Sequence, residues 1–158
     1  AGWCMAQGEE HGYHFGGDVY QRVELSENGL DCRIVPASDP VGEGTYNAAE
    51  FTPALIKDGE KIEDSFWTGE QPRACFGTST QGIYMLVIEG RYPDEGIRGT
   101  SVNTCSDILL SYGCWNALNM DGGSSAILWY DGEYVTQSSS SPLRYTGGRP
   151  LPNAWVYG

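Results

Sequence analysis

The 158 residues include 21 acidic and 9 basic side chains, which gives a formal net charge of −12 at pH 7. This charge excludes tight electrostatic binding to nucleic acid, because the phosphate backbone would be repelled. With 40% hydrophobic residues, the chain can build one core, and we predict a single domain over residues 1–158. No apolar run approaches the ~20 residues of a membrane span, so we predict none.

Four glycine-containing dipeptides separate strand-like segments, an arrangement typical of β-hairpins. They are Gly16-Gly17, Asn28-Gly29, Asp58-Gly59 and Asp131-Gly132. The strands predicted around them cover residues 12–15 and 18–21, 23–26 and 31–35, 54–57 and 60–62, and 126–130 and 133–137. Strand-like segments at residues 72–77 and 82–91 predict a further hairpin.

One segment has helical periodicity. Thr100 or Ser101 can cap it, Gly113 can end it, and apolar residues recur at helical spacing between them. Residues 115–120 follow as a short buried strand. We therefore predict an α+β fold that is rich in β-structure, with mixed or antiparallel sheets built from hairpins and packed on one main helix.

The cysteines and histidines give no metal-binding pattern. The five cysteines are an odd number without zinc-type spacing, so at least one thiol has no partner within the chain, and one or two disulfides are allowed. Cys75 lies in an apolar strand and is predicted to be a core residue. If His11 and His14 share a strand, their side chains point to opposite faces. We predict no metal and no cofactor.

Residues 119–125, Asn-Met-Asp-Gly-Gly-Ser-Ser, form the most informative segment. The Gly122-Gly123 pair permits backbone conformations that let a ligand approach the main chain. Successive N–H groups in such a turn can bind an anion. The hydroxyls of Ser124 and Ser125 add hydrogen-bond donors, and Asp121 adds a carboxylate. The alternative is a tight loop in which the aspartate binds its own turn.

Arginine, at seven residues against two lysines, is the preferred cation of this chain. Its planar guanidinium binds phosphate or carboxylate at two points. Arg73 and Arg91 frame the hairpin over residues 72–91 and would form a phosphate clamp at one end of a sheet. Arg149 and Asn153 lie in a loop before the last strand-like segment and would face a ligand there. Ordinary surface ion pairs and loop-anchoring hydrogen bonds are the alternatives.

The order of these segments resembles the phosphodiester glycosidase family. The family pattern P-R-T-A-x-G reads Pro-Arg-Ala-Cys-Phe-Gly at residues 72–77, and its D-G-R reads Glu-Gly-Arg at 89–91. Its N-L-D-G-G-(G/S)-S corresponds to residues 119–125, followed by a serine-rich loop at 138–141, Arg149 and a P-x-A segment at 152–155. Ala74 and Glu89 depart from the usual threonine and aspartate.

This resemblance implies hydrolysis of a sugar-1-phosphodiester at a site near the D-G-G loop. Residues 1–4 are similar to the tail of a family motif that normally follows further strands. We therefore expect a chain that lacks the N-terminal strands, whose sheet is completed by a second chain or segment. An extracellular or cell-surface location is expected, and bacterial wall or capsule phosphodiesters and glycoprotein tags fit the substrate equally well.

The mechanistic hypothesis assigns the phosphate to Arg73, Arg91 and Arg149, with the amides of residues 122–124. Asp121 would act as general base or stabiliser of the sugar cation, and Glu89 would be the second carboxylate. Two other functions fit the same residues. One is a non-catalytic module that binds an anionic sugar or nucleotide, and the other is a structural cell-surface domain.

Overall fold

The computed structural model describes residues 2–158. Its strands are β1 (Cys4–Ala6), β2 (Glu9–His11), β3 (Gln21–Leu25), β4 (Cys32–Pro36), β5 (Asn47–Phe51), β6 (Ala54–Lys57), β7 (Glu60–Lys61), β8 (Arg73–Ser79), β9 (Gly82–Ile88), β10 (Asn116–Asn119), β11 (Trp129–Tyr130) and β12 (Glu133–Tyr134). The α-helix, α1, covers Val102–Ser111. Within residues 2–158 no helix has the length and apolar composition that a membrane crossing requires.

The strands form two five-stranded sheets and a separate hairpin. The first sheet has the order β2-β1-β5-β3-β4, the second has the order β7-β6-β10-β8-β9, and β11 pairs with β12. The strand pairs of all three are antiparallel. The predicted fold class, a β-rich α+β fold with hairpins packed on one main helix, is confirmed.

Two apolar clusters make a three-layer arrangement of sheet, sheet and helix. Val23 and Ile34 of the first sheet meet Phe76 and Leu118 of the second sheet in one cluster. The opposite face of the second sheet packs Cys75 and its neighbours against α1 in the other cluster. The second sheet is therefore covered on both faces, and β10 at its centre is buried along its whole length.

The helix begins and ends as its sequence predicts. Ser101 is the N-cap, and its Oγ accepts a hydrogen bond of 3.2 Å from the N–H of Thr104. Gly113 follows the helix with a φ of +80° and donates its N–H to the carbonyl of Leu110.

Three of the four predicted glycine-turn hairpins are present. Asp58-Gly59 and Asp131-Gly132 both have positive φ at each residue, as two-residue hairpin turns require. Asn28-Gly29 lies in a longer loop, in which Asn28 Oδ1 accepts hydrogen bonds from Ser26 and Leu30. The hairpin between β8 and β9 is also confirmed.

The hairpin predicted at Gly16-Gly17 is wrong. Residues 12–20 form a loop, and the first hairpin instead joins β1 to β2 through Gln7 and Gly8. Contacts with β5 hold the loop: His14 Nδ1 lies 2.6 Å from Glu50 Oε1, and Phe15 packs edge-on against Phe51. His11 and His14 consequently do not share a strand.

The five cysteines are free thiols, and Cys75 is a core residue as predicted. Burial raises the pKa of Cys114 to about 11, and it raises the pKa of Cys32 to about 11 against the opposing hydrogen bond from Thr78. Raised thiol pKa values stabilise the folded state below the normal thiol pKa, and this stabilisation is lost as the pH rises towards 11.

We therefore expect Cys32 and Cys114 to resist iodoacetamide at pH 8 in the folded protein, because the thiolate is the reacting species. Both should be alkylated readily in urea. Peptide mass spectrometry after timed quenching measures each thiol separately. Rapid native labelling of either thiol would contradict this expectation.

Candidate active site

The segment with the D-G-G motif leaves the buried end of β10 and turns across the first residues of β8. Met120 donates its N–H to the carbonyl of Ala74 at 2.8 Å, and Gly123 donates its N–H to the carbonyl of Pro72 at 3.0 Å. A Cβ atom on Gly122 would lie 2.6 Å from that Pro72 oxygen. Glycine is therefore required at residue 122 for close backbone approach.

The backbone of this turn does not supply the full row of amides that the sequence predicted for an anion. The prediction is wrong for Gly123, because its N–H is used by Pro72. The N–H groups of Gly122 and Ser124 have no hydrogen-bond partner within residues 2–158. Those two amides are the ones that an anion can still reach.

Asp121, Ser125 and Arg149 form a connected group on this turn. Asp121 Oδ2 accepts hydrogen bonds from Ser125 Oγ at 2.7 Å and from Arg149 Nη2 at 2.9 Å. The same arginine nitrogen donates to Ser125 Oγ at 2.5 Å. Asp121 Oδ1 accepts no hydrogen bond from the residues that the structure describes. One carboxylate oxygen is thus fixed and the other remains available to a substrate.

Arg91 contacts the same turn from the end of the hairpin formed by β8 and β9. Its Nε donates to Gln71 Oε1 at 3.0 Å. A Cβ atom on Gly123 would lie 3.0 Å from Nη2 and 3.2 Å from Nη1 of this arginine. The guanidinium therefore lies against Gly123, which itself has a φ of +58°. Arg91 and Arg149 flank the turn over residues 121–125.

Arg73 lies at the same end of the sheet, but most of its hydrogen-bonding capacity is used within the protein. Nε donates to the carbonyl of Thr100, and Nη2 donates to the carbonyls of Trp67 and Gly69. Burial lowers the pKa of this arginine, and only 4% of the residue is exposed. The structure corrects its expected role in a phosphate clamp: Arg73 anchors the segment before α1 beside the site.

Glu89 also has a structural contact. Its Oε1 accepts the N–H of Gln137 at 2.5 Å, which attaches the serine-rich loop to the end of β9. Ser138 at the start of that loop is fully buried, and its carbonyl accepts a hydrogen bond from the hydroxyl of Tyr92. Asn153 is exposed and has no hydrogen bond within the described part of the chain.

Sequence reasoning missed the residue that holds the serine-rich loop in place. Arg144 makes a double ion pair with Glu95, and its guanidinium lies 3.8 Å from the ring centre of Tyr92. The hydrogen bond from Arg144 lowers the pKa of the Glu95 carboxyl. An arginine shortly after the serine-rich loop was the available signal. Its role follows from a partner 49 residues away, which spacing does not reveal.

Three distant stretches of chain therefore meet at one end of the second sheet: the turn after β10, the start of β8 with the end of β9, and the loop around Arg149. Among the described residues, no group of three or more His, Cys, Asp or Glu side chains is arranged to hold a metal ion. The site brings together one carboxylate, two exposed guanidinium groups and a glycine turn. A comparison of the chain with family models matches the phosphodiester glycosidase domain over residues 5–157.

The chain belongs to the phosphodiester glycosidase family. It is also 26% identical over 113 residues to the SPbeta prophage-derived protein YomE of Bacillus subtilis (strain 168), a match that covers 68% of this chain and 17% of that protein. The family resemblance that was seen in the sequence is thereby confirmed.

A solved structure has a similar fold. It is the catalytic domain of zebrafish N-acetylglucosamine-1-phosphodiester alpha-N-acetylglucosaminidase, auto-inhibited by its pro-peptide. The TM-score is 0.63 at 15% sequence identity, and the match covers 88% of this chain and 51% of the zebrafish chain. The present chain thus spans about half the length of the solved zebrafish chain and a smaller part of YomE. At this identity the likeness concerns the fold of the phosphodiester glycosidase domain.

Proposed function

We propose that this chain hydrolyses the glycosidic bond of a sugar-1-phosphodiester, with Asp121 as the catalytic carboxylate. The observation that carries the proposal is that Arg91 and Arg149 flank the five-residue turn over residues 121–125, which carries Asp121. Two exposed cations beside a carboxylate are notable in a chain of net charge −12. Family membership supports a hydrolase that acts on a sugar phosphodiester.

The phosphate is assigned to Arg91 and Arg149, with the amides of Gly122 and Ser124. Guanidinium groups bind phosphate oxygens through paired N–H donors. As the glycosidic bond breaks, negative charge grows on the departing phosphate, and donors already fixed in place stabilise it without reorganising. The Gln71 contact of Arg91 and the Ser125 contact of Arg149 hold these donors before substrate arrives.

Asp121 is assigned to the sugar. Breaking a glycosidic bond produces an oxocarbenium-like centre, which a nearby carboxylate stabilises. The fixed Oδ2 orients the group, while Oδ1 faces substrate or activates a water molecule. The hydroxyl of Ser125 donates a hydrogen bond to Asp121 and accepts one from Arg149. Ser125 is therefore a positioning residue. Glu89 remains the candidate second carboxylate through Oε2, since Oε1 is bound by Gln137.

The test is turnover of a panel of sugar-1-phosphodiesters that differ in the sugar, followed by mass spectrometry for free reducing sugar. An α-N-acetylglucosamine 1-phosphodiester belongs in the panel because the zebrafish enzyme's name specifies that substrate. Release of reducing sugar supports the proposal. Binding by calorimetry without release of sugar would instead support the non-catalytic sugar-phosphate module.

Arg149→Lys should reduce kcat/KM on a turned-over substrate about ten- to a hundredfold, because hydrogen bonds to charged groups contribute about 1.5–3 kcal/mol. Lysine keeps the charge but has one donor nitrogen, so it cannot bind phosphate at two points while it contacts Asp121 and Ser125. The melting temperature should change little, since the Arg149–Asp121 ion pair is about half exposed.

The matched control for that variant is Arg98→Lys, which alters an exposed arginine 3.9 Å from Glu70. Steady-state kinetics on both variants give the comparison. An unchanged kcat/KM for Arg149→Lys would remove Arg149 from the phosphate site.

A further inference from the structure

The four edge strands of the two large sheets differ in how they are protected against pairing with another chain. Natural proteins block such edges with charges, proline, bulges or very short strands. β2 has two glutamates in three residues, β4 contains an arginine and ends in proline, and β7 has only two residues, both charged. Each of these three edges therefore carries a recognised block.

The fourth edge, β9, carries none of these blocks. Its seven residues, Gly-Ile-Tyr-Met-Leu-Val-Ile, include no charge and no proline. Its pairing with β8 runs without a register shift from Gly82 to Ile88. Within residues 2–158, the backbone hydrogen bonds of β9 are confined to that ladder. The outer N–H and C=O groups of a long, uncharged strand are thus left open.

The side chains on both faces of β9 pack against other parts of the protein. The backbone groups along its outer edge are the part of the strand without a partner among residues 2–158. Ile83 and Met85 pack towards the cluster between the sheets, and Tyr84 and Leu86 pack towards the cluster under α1. Beside the strand lies an apolar groove of about 220 Å³ between β9 and the last turns of α1. Tyr112 at the rim of the groove is 63% exposed.

We propose that β9 is a self-association edge, which pairs antiparallel with β9 of a second copy of this chain. In a ladder centred on Met85, Tyr84 lies opposite Leu86 of the second copy and Ile83 lies opposite Val87. Every one of these pairs joins apolar side chains on the same face of the sheet, as stable cross-strand pairing requires. The strand is self-complementary in this register.

Charge opposes a second copy least at this edge. At net charge −12 two copies repel each other over most of their surface. Because β9 has no charged residue, the backbones of two copies can approach each other there. At the end of the ladder Glu89 lies opposite Gln81 of the second copy, so like charges do not face each other. The two-fold axis is perpendicular to the sheet and brings the two apolar grooves to the same face.

Sedimentation equilibrium of the chain over a wide range of concentration tests the proposal. The expected result is a rise from the monomer mass of 17.2 kDa towards twice that value. Tyr84→Lys introduces an edge charge and should raise the dissociation constant of the dimer at least about tenfold. Val19→Lys, at an exposed residue in the loop before β3, is the charge-matched control and should leave association unchanged.

Hydrogen exchange on the unaltered chain keeps the test independent of any folding defect in Tyr84→Lys. Amides of residues 82–88 should gain protection as the concentration rises, and amides of β2 should not. The proposal is overturned by a mass of 17.2 kDa at every concentration. It is also overturned by a dimer whose β9 exchange is independent of concentration, because another surface would then mediate the contact.

Discussion

Asp121→Asn should lower kcat on a sugar-1-phosphodiester by about 10²- to 10⁴-fold, the range that a positioned acid–base group contributes. Asparagine keeps the size of the side chain and can still accept the hydrogen bond from Ser125. It removes the negative charge to which we assign stabilisation of the sugar cation or activation of water. KM should change much less, because Arg91 and Arg149, the proposed phosphate ligands, are unaltered.

The matched control is Asp131→Asn, in the exposed turn between β11 and β12, where asparagine tolerates the φ of +49°. Both variants should keep the melting temperature of the parent chain, since both aspartates are exposed. If Asp121→Asn retained most of the parent kcat, Asp121 would have no catalytic role and Glu89→Gln would become the variant to measure.

Arg22→Met should destabilise the fold by about 3–5 kcal/mol, the cost of removing one partner from a buried ion pair. Arg22 is fully buried and lies 2.7 Å from Glu24 and 3.4 Å from Glu50. Its Nη2 also donates to the carbonyls of Asp39 and Pro40. Methionine fills the space but leaves two buried carboxylates near each other.

The stability lost in Arg22→Met should be smaller at acid pH. Burial by itself would raise the pKa of Glu24, but hydrogen bonds from Arg22, Arg33 and the N–H of Gly42 outweigh burial and lower that pKa. A lowered pKa stabilises the folded state above the normal carboxyl range, and this stabilisation is lost as the pH falls through the folded-state pKa. Once Glu24 is protonated, its arginine partner matters less.

Urea unfolding at neutral and acid pH measures both effects. Arg98→Met, at an exposed arginine whose carboxylate partner is 3.9 Å away, should cost little at either pH. A destabilisation by Arg22→Met that is no larger than that of Arg98→Met would show that the buried network contributes no net stability. If Arg22→Met lowered the free energy of unfolding by the same amount at neutral and acid pH, the negative charges of the glutamates would not be the cause of the destabilisation.

Local sequence signals were sufficient for those elements that local chemistry determines. The helix was predicted from its Ser101 cap and its apolar spacing, and the hairpins at Asp58-Gly59 and Asp131-Gly132 were predicted from residues that accept positive φ. Gly16-Gly17 has the same positive φ at both glycines, yet its flanks are not strands. The contacts of His14 with Glu50 and of Phe15 with Phe51 decide that region, and both join the loop to residues far along the chain.

The sequence predicted where the candidate site lies, but only some of the contacts that its residues make. The order of motifs placed Arg73, Arg91 and Asp121 at one end of the molecule, and the structure brings them together. The partners of each arginine depend on which groups other segments of the chain bring next to it. Arg73 meets the carbonyls before α1, whereas Arg91 meets a side chain and a glycine. The residue type alone does not distinguish a buried anchor from an exposed phosphate ligand.

The most direct test of the proposed chemistry is hydrolysis of a sugar-1-phosphodiester in ¹⁸O-labelled water, with mass spectrometry of both products. A glycosidase that works through Asp121 breaks the bond between the sugar carbon and the phosphate oxygen, so the label should appear in the released sugar. Label in the phosphate product would show cleavage of a phosphorus–oxygen bond, and it would contradict a carboxylate-assisted reaction at the sugar carbon.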